Sequence, residues 1–296
     1  MRKILPILLC LAVTPLHAQG MKSEDNTTTN HAELRVEANF TKHFKLRNQG
    51  VNLYLSQAVY SRLAESTYSY QDDQTTSVSP YFRRSYTTVG LTYTPIEYLR
   101  IGADYTLKVY GNKIKAEDGT TNPASEYLRH RASVYLTGQY TVDNWKFSLR
   151  ERMDANIRMD SVNLHEKPQA DLALRHKIQA QYSIPGKPLK AYAYVELWNT
   201  LNQPVKYLNT YAGVKSDGTA STYAGQTNPF GQYLSEVHTQ AGLHWRLDKL
   251  NTLSIAYRFS YGYSRNVNIT HNKGYIELTH AKSFGHYILI TYDLDW

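Results

Sequence analysis

Residues 286–296 read HYILITYDLDW, and the alternation in this stretch decides the fold. Ile288, Ile290, Tyr292, Leu294 and Trp296 leave one side of the chain; Tyr287, Leu289, Thr291, Asp293 and Asp295 leave the other. A period of two is a strand, because successive side chains project to opposite faces of the pleat. One face is apolar and closes on an aromatic, while the other carries hydroxyls and carboxylates. Such a strand fits the wall of a transmembrane β-barrel, with its apolar face on lipid and its aromatic in the interfacial girdle. The five residues from Ile288 to Trp296 therefore read as a C-terminal barrel signature. The competing reading is an edge or core strand of a soluble all-β domain, and the rest of the chain weighs between the two.

Upstream, the same alternation recurs. It runs through 32–40, 51–63, 87–93, 99–109, 127–140, 145–153, 172–184, 191–201, 237–247 and 253–261. The cleanest case sets Leu99, Ile101, Ala103, Tyr105, Leu107 and Val109 against Arg100, Gly102, Asp104, Thr106 and Lys108. Segments of about ten alternating residues are what a tilted strand needs to cross a bilayer. Short turns at 94–97, 141–144, 185–188 and 248–251 alternate with long polar segments at 65–80, 111–126, 160–170, 202–232 and 264–283. Outer-membrane barrels place short turns in the periplasm and long loops outside the cell. The fold expected is all-β: a single antiparallel transmembrane barrel. Eleven strands are counted, but bacterial single-chain barrels have an even number. The expectation is therefore twelve, with ten as the second count. The missing strand is sought near 64–80 or 268–282, where Tyr275-Ile276-Glu277-Leu278 is a candidate.

Composition agrees with this class. The 296 residues include 26 Tyr beside 7 Phe and 4 Trp, and Tyr suits both strands and the membrane–water boundary. Arg2 and Lys3, the apolar run from Ile4 to Val13, and Leu16-His17-Ala18 have the form of a secretory signal peptide. The expected division is 1–18 signal peptide, 19–30 a flexible polar lead-in, and 31–296 the barrel. The lone cysteine, Cys10, lies in the signal, which leaves no disulfide, thiol chemistry or Cys-ligated metal in the mature chain. Formal charge is +8 and falls to +6 without Arg2 and Lys3. An exported basic chain seldom meets nucleic acid. Anionic headgroups or a basic lumen account for the charge better.

With the apolar faces turned to lipid, the charges converge inward. Leu128-Arg129-His130-Arg131 and Leu174-Arg175-His176-Lys177 open two strands alike, which points Arg129, Arg131, Arg175 and Lys177 into the lumen. Arg150, Arg152 and Arg158 join them from the intervening strand, with Arg246 and Arg258 further round; Asp104, Asp154, Glu196 and Glu236 supply counter-charges. Buried charge has to be paired or hydrated, so this lining is either a salt-bridge plug or the wall of a water-filled passage. Glu151 falls on the lipid face beside Met153, and a bulge that turns it inward is expected. His130 and His176 also fall outward. A lipid hydrolase would place Ser and His together on one outward face, and no His-x-Ser occurs. His271 and His280 have no metal-ligand spacing.

The stretches Arg129-His130-Arg131, Leu149-Arg150-Glu151-Arg152, Leu174-Arg175 with Lys177 and Tyr182, Val195-Glu196-Leu197 with Asn199, and Tyr257-Arg258 resemble an uncharacterised family of small Gram-negative outer-membrane β-barrels of the porin-like superfamily. The resemblance covers about 128–296 and departs at the insertion 202–232 and at the Asp293-Leu294-Asp295-Trp296 ending. It implies location and architecture, and carries over no catalytic residue. The function expected is a structural or surface-interaction barrel with a charged, largely plugged lumen, in which Tyr207, Tyr211, Tyr223 and Tyr233 would serve surface contacts. A narrow anion-preferring channel is the alternative, and a lipid-modifying enzyme the second alternative. Expected partners are outer-membrane lipid, the barrel-assembly machinery during insertion, and small anionic solutes or surface ligands; no cofactor or metal is expected.

Overall fold

The computed structural model describes residues 26–46, 49–68, 75–77, 80–111, 128–158, 170–201, 212–214, 220–222, 232–270 and 275–296. Residues 1–18, read as a signal peptide, most of 19–30 and the bulk of 202–232 lie outside the described residues. Eleven long strands carry the architecture: β1 (Asn26–Leu46), β2 (Gln49–Tyr68), β4 (Tyr81–Ile96), β5 (Leu99–Tyr110), β6 (Leu128–Val142), β7 (Trp145–Arg158), β8 (Ala170–Ser183), β9 (Leu189–Thr200), β12 (Tyr233–Arg246), β13 (Asn251–Thr270) and β14 (Tyr275–Asp295). Three short strands, β3 (Thr75–Ser77), β10 (Ala212–Val214) and β11 (Ala220–Thr222), are accessory: β3 pairs with β2, and the other two with each other.

Each long strand pairs antiparallel with the next, and the barrel closes between β1 and β14. With eleven strands alternating in direction, first and last run the same way, so the closing seam is parallel, from Asn26↔His280 to Thr41↔Asp295. Backbone bonds from His43 N to Trp296 O and from Trp296 N to Thr41 O, both 3.0 Å, fasten its lower end. This corrects the expectation of twelve strands. The even-number rule presumes an antiparallel seam; a parallel one admits an odd count. Tyr275-Ile276-Glu277-Leu278 belongs to the start of β14, and the segment 264–283 is mostly an extension of the β13–β14 hairpin rather than a long loop.

Side-chain placement is inverted relative to a water-soluble core. Among the described residues, seven apolar ones are buried, including Tyr60, Tyr194, Tyr287 and Leu289, against fifteen polar or charged ones. Glu33, Thr106 and Asp154 are fully buried. Outside, Leu53, Leu91, Ile101, Val134, Ile178, Val195, Ile255 and Ile288 are exposed in an apolar band. Near the short-turn end, Tyr140, Trp145, Phe147, Trp245, Tyr292 and Trp296 are exposed aromatics, with Trp145 packed at 4.8 Å on Tyr182 and 6.0 Å on Phe147. Of the signature residues, Ile288, Tyr292 and Trp296 are exposed and Ile290 and Leu294 are partly so, as the alternation requires.

The turns at that end are tight because their residues allow it. Asp143 (φ 50°) and Gly186 (φ 68°) take the left-handed conformation that lets a hairpin reverse in a few residues. Two tyrosines lie flat over glycines of adjacent strands. A Cβ on Gly90 would sit 2.3 Å from the Tyr54 ring, and one on Gly102 would sit 2.2 Å from Tyr135. The rings thereby flank Asp104, which accepts a 3.0 Å hydrogen bond from the Tyr54 hydroxyl.

Candidate functional site: a charged lumen with a cavity

The lumen is built by the inward residues of every long strand. Three bulges tune its long-loop end, where the register shifts at Ala32/Glu33, Tyr60/Ser61 and Leu234/Glu236. The second inserts Arg83 opposite the Tyr60–Ser61 step, and Arg83 and Arg84 both line the cavity as a result. A strand without a bulge would send one of the two outward. The bulge expected beside Glu151 is absent, since β7 pairs in unbroken register with both neighbours. Glu151 stays on the outer face and ion-pairs with His176 across β7–β8. A neighbouring imidazole accommodates the carboxylate more cheaply than a change of register would.

Arg129, Arg131, Arg150, Arg152, Arg175, Lys177, Glu196, Glu236 and Arg258 all line the lumen cavity, as their position in the alternation predicts. Arg246 sits at the exposed turn end and lines a separate cavity there; the Arg158 side chain lies outside the described residues. The structure joins part of this set into a ladder across β5 to β9. Arg152 reaches Asp104 at 2.9 Å and Asp154 at 2.6 Å, and Arg175 reaches Asp154 at 3.0 Å and Glu196 at 2.9 Å. Arg150 adds a 3.1 Å contact to Glu196. The Arg175 guanidinium also stacks on Trp198 at 3.8 Å, while the indole donates to Glu196. Asp154 and Glu196 are thus each shared between two arginines, and the charges are neutralised in place. His238 bridges the end of the ladder, 2.9 Å from Glu236 and 3.6 Å from Glu196.

A second cluster stands on the opposite wall and was missed as a site by sequence reading. Glu33, fully buried, pairs with Arg62 at 2.8 Å and Arg84 at 3.2 Å; Arg62 also holds Glu65 at 2.6 Å. Below it Arg35 pairs with Glu37 at 2.6 Å. The signal was present, because Glu33, Arg35 and Glu37 alternate with apolar residues in the first strand. Only the bulges that bring Arg62 opposite Glu33 were hidden.

Between the clusters lies a cavity of about 1090 Å³, lined from Thr29 and Glu65 at one end to Asn39, Thr41 and Asp293 at the other. A second cavity of about 490 Å³ lies at the short-turn end and shares the lining residues His244 and Asp293 with it. Among the described residues, thirteen Lys and Arg line the main cavity against seven carboxylates. Gln240 organises the remaining wall by accepting from the Tyr194 hydroxyl at 2.8 Å and Arg258 at 2.9 Å and donating to Tyr192 at 2.7 Å.

On the outer face the imidazoles find phenols or a carboxylate. His130 bonds Tyr105, His286 bonds Tyr257 at 2.7 Å, and His176 takes Glu151. A serine–imidazole bond does occur inside, between His244 and Ser254 at 2.6 Å. Ser254 is 4% exposed and does not line the cavity, so the pair acts as a cross-strand tie rather than as a nucleophile with its base. Tyr207, Tyr211, Tyr223 and His271 lie outside the described residues. No protein-family model and no curated protein matches the chain. The fold and lumen define the class: a closed eleven-strand β-barrel with an apolar exterior and a charged, partly open interior.

Proposed function

We propose that the chain spans a Gram-negative outer membrane and that its lumen is a narrow, basic passage for small anions. The inverted placement of side chains supports the membrane reading. A monomeric soluble protein rarely exposes contiguous apolar patches beyond a few hundred Å², and here the apolar band follows the strand exteriors around the barrel. One observation carries the passage: a polar cavity runs along the lumen between the charge clusters, and its lining has an excess of cations. Eleven strands also fall between the eight that side chains can fill and the sixteen that leave a wide channel. The second reading, a structural or surface-interaction barrel with a closed lumen, draws on the ion-paired ladder, which fixes much of the interior in place.

Conductance in planar bilayers separates the two. The passage predicts discrete steps and, across a KCl gradient, a reversal potential of the sign set by chloride. Arg258 lies on the cavity with Gln240 as its hydrogen-bond partner, so Arg258→Glu reverses the local charge without breaking an ion pair. It is expected to reduce the anion preference at least twofold. A barrel that inserts and yields no steps, or steps that favour potassium, overturns the passage.

A further inference from the structure

The cations of the lumen are not all neutralised alike. In the long-loop half, Lys108 on β5 and Arg129 and Arg131 on β6 face the cavity, and no carboxylate among the described residues lies within ion-pair distance of any of them. Asp104 and Asp154, further along the same wall, are engaged by Arg152 and Arg175. The three cations are held together by register. Lys108 is the cross-strand partner of Arg129, and Arg131 is two residues further along β6, opposite Thr106. Lys108 is only 9% exposed. Its ammonium donates to the Asn156 side chain and stands 5.5 Å from the Tyr86 ring centre, which leaves protons free. Arg131 donates from Nη2 to the Thr106 hydroxyl at 3.0 Å, while its buried Nε has no partner.

Buried cations of this kind are costly unless an anion or water completes them. Two guanidiniums and an ammonium facing one space present forked donors, a geometry that suits a tetrahedral or planar oxyanion better than a spherical halide. We propose that Lys108, Arg129 and Arg131 form a binding site for a phosphate-type oxyanion, either inorganic phosphate or the phosphate group of a small solute. The site completes in the bound state the neutralisation that the ladder achieves with its own carboxylates. It rests on the reading that the lumen is open to solutes, and not on the reading that solutes cross it.

The test is calorimetric titration of the purified full chain in detergent with inorganic phosphate at low ionic strength. Saturable binding is expected, weakened at least tenfold by Arg131→Met and undetectable in the Lys108→Met/Arg131→Met double variant. Lys187→Gln, in an exposed turn, should leave it unchanged. Absence of saturable heat in the wild type, or equal affinity in a double variant that keeps its far-UV β-sheet spectrum, overturns the site. Should the double variant fail to fold, Arg129→Met serves instead: a threefold or greater loss supports the proposal and an unchanged affinity overturns it. Titration with glycerol 3-phosphate distinguishes the two sources: tighter binding than inorganic phosphate assigns the site to phosphate esters, equal binding to the bare anion. Binding by a chain that carries no current keeps the site and removes the passage; conductance with no phosphate binding does the reverse.

Discussion

Two regions of one lumen wall treat buried positive charge in opposite ways. Across β5 to β9, Arg152 and Arg175 are locked between Asp104, Asp154 and Glu196, each carboxylate within 3.0 Å of a guanidinium nitrogen. Nearer the long-loop end of β5 and β6, Lys108 and Arg131 face the cavity with amide and hydroxyl acceptors only. The strands, the burial and the residue types are similar. The difference is whether the chain supplies the counter-ion, and it separates charge that holds the barrel from charge that is open to solutes.

Removing a ladder carboxylate should therefore have the largest effect. Asp154 is fully buried between Arg152 and Arg175, so Asp154→Ala takes one of its two carboxylate partners from each buried cation and is expected to cost about 3–5 kcal/mol. Lys108→Met removes a buried cation that has no carboxylate to leave behind, and should be neutral or stabilising. Urea unfolding in lipid vesicles, followed by tryptophan fluorescence, compares the two at constant slope. Equal losses in both variants would erase the distinction between the two regions.

Next in size is the packing that sets the ladder's entrance. Gly90→Val places methyls where the Tyr54 ring lies, 2.3 Å from the nearest ring atom to a bare Cβ. The ring must swing away, and its hydroxyl then loses Asp104. A cost of about 1–3 kcal/mol is expected from overpacking of this kind. The accompanying Tyr54→Phe change, which keeps the ring and deletes the hydrogen bond, should cost less; the reverse order would show that the hydroxyl rather than the fit is what matters.

The outer face sharpens the comparison from the other side. Glu151 lies three residues before Asp154 on β7, yet it points outward and takes His176 where Asp154 takes two arginines. If that face meets lipid, His176→Leu isolates a carboxylate in hydrocarbon and should cost about 1–2 kcal/mol, while the Glu151→Leu/His176→Leu double variant recovers the loss. Unfolding in vesicles and in detergent would read this out. A double variant less stable than His176→Leu alone would argue against a lipid-facing surface.

The strand alternation was legible because each long strand separates two environments, so its two faces diverge residue by residue. That is why Arg129, Arg150, Arg175 and Arg258 could be placed inward from periodicity. What was not legible depends on relations between strands. The bulges that bring Arg62 to Glu33 and admit Arg83 beside Arg84 shift register by one residue and leave no mark in a period-two pattern. Nor does periodicity say whether a seam is parallel, and the count of eleven therefore looked like an error. The Glu151–His176 pair was misread for the same reason. A carboxylate on an apolar face looks misplaced until the neighbouring strand's register puts an imidazole opposite it.

The smallest effect expected lies at the turn between β12 and β13, outside both regions. Asp248 accepts from the backbone amides of Leu250 and Asn251, each at 2.8 Å, and from the Asn251 side chain at 2.7 Å. The Asn251 side chain, followed by those amides, holds the carboxyl below its ordinary range. A carboxyl lowered in the folded state contributes stability above its unfolded pKa of about 4, and that contribution is lost as pH falls through the folded value. The wild type and Asp248→Ala should consequently differ at pH 7 and converge towards pH 3. The group is exposed, and the difference should be the smallest of the set. Turn formation at this end brings Leu250 O to Asp295 N at 2.9 Å, on the β13 side of β14, one residue before Trp296 fastens the β1 side. Asp248→Ala should therefore speed amide exchange at Asp295 at pH 7, whereas a rate equal to that of the wild type at the same pH would remove the turn from any part in fastening the barrel.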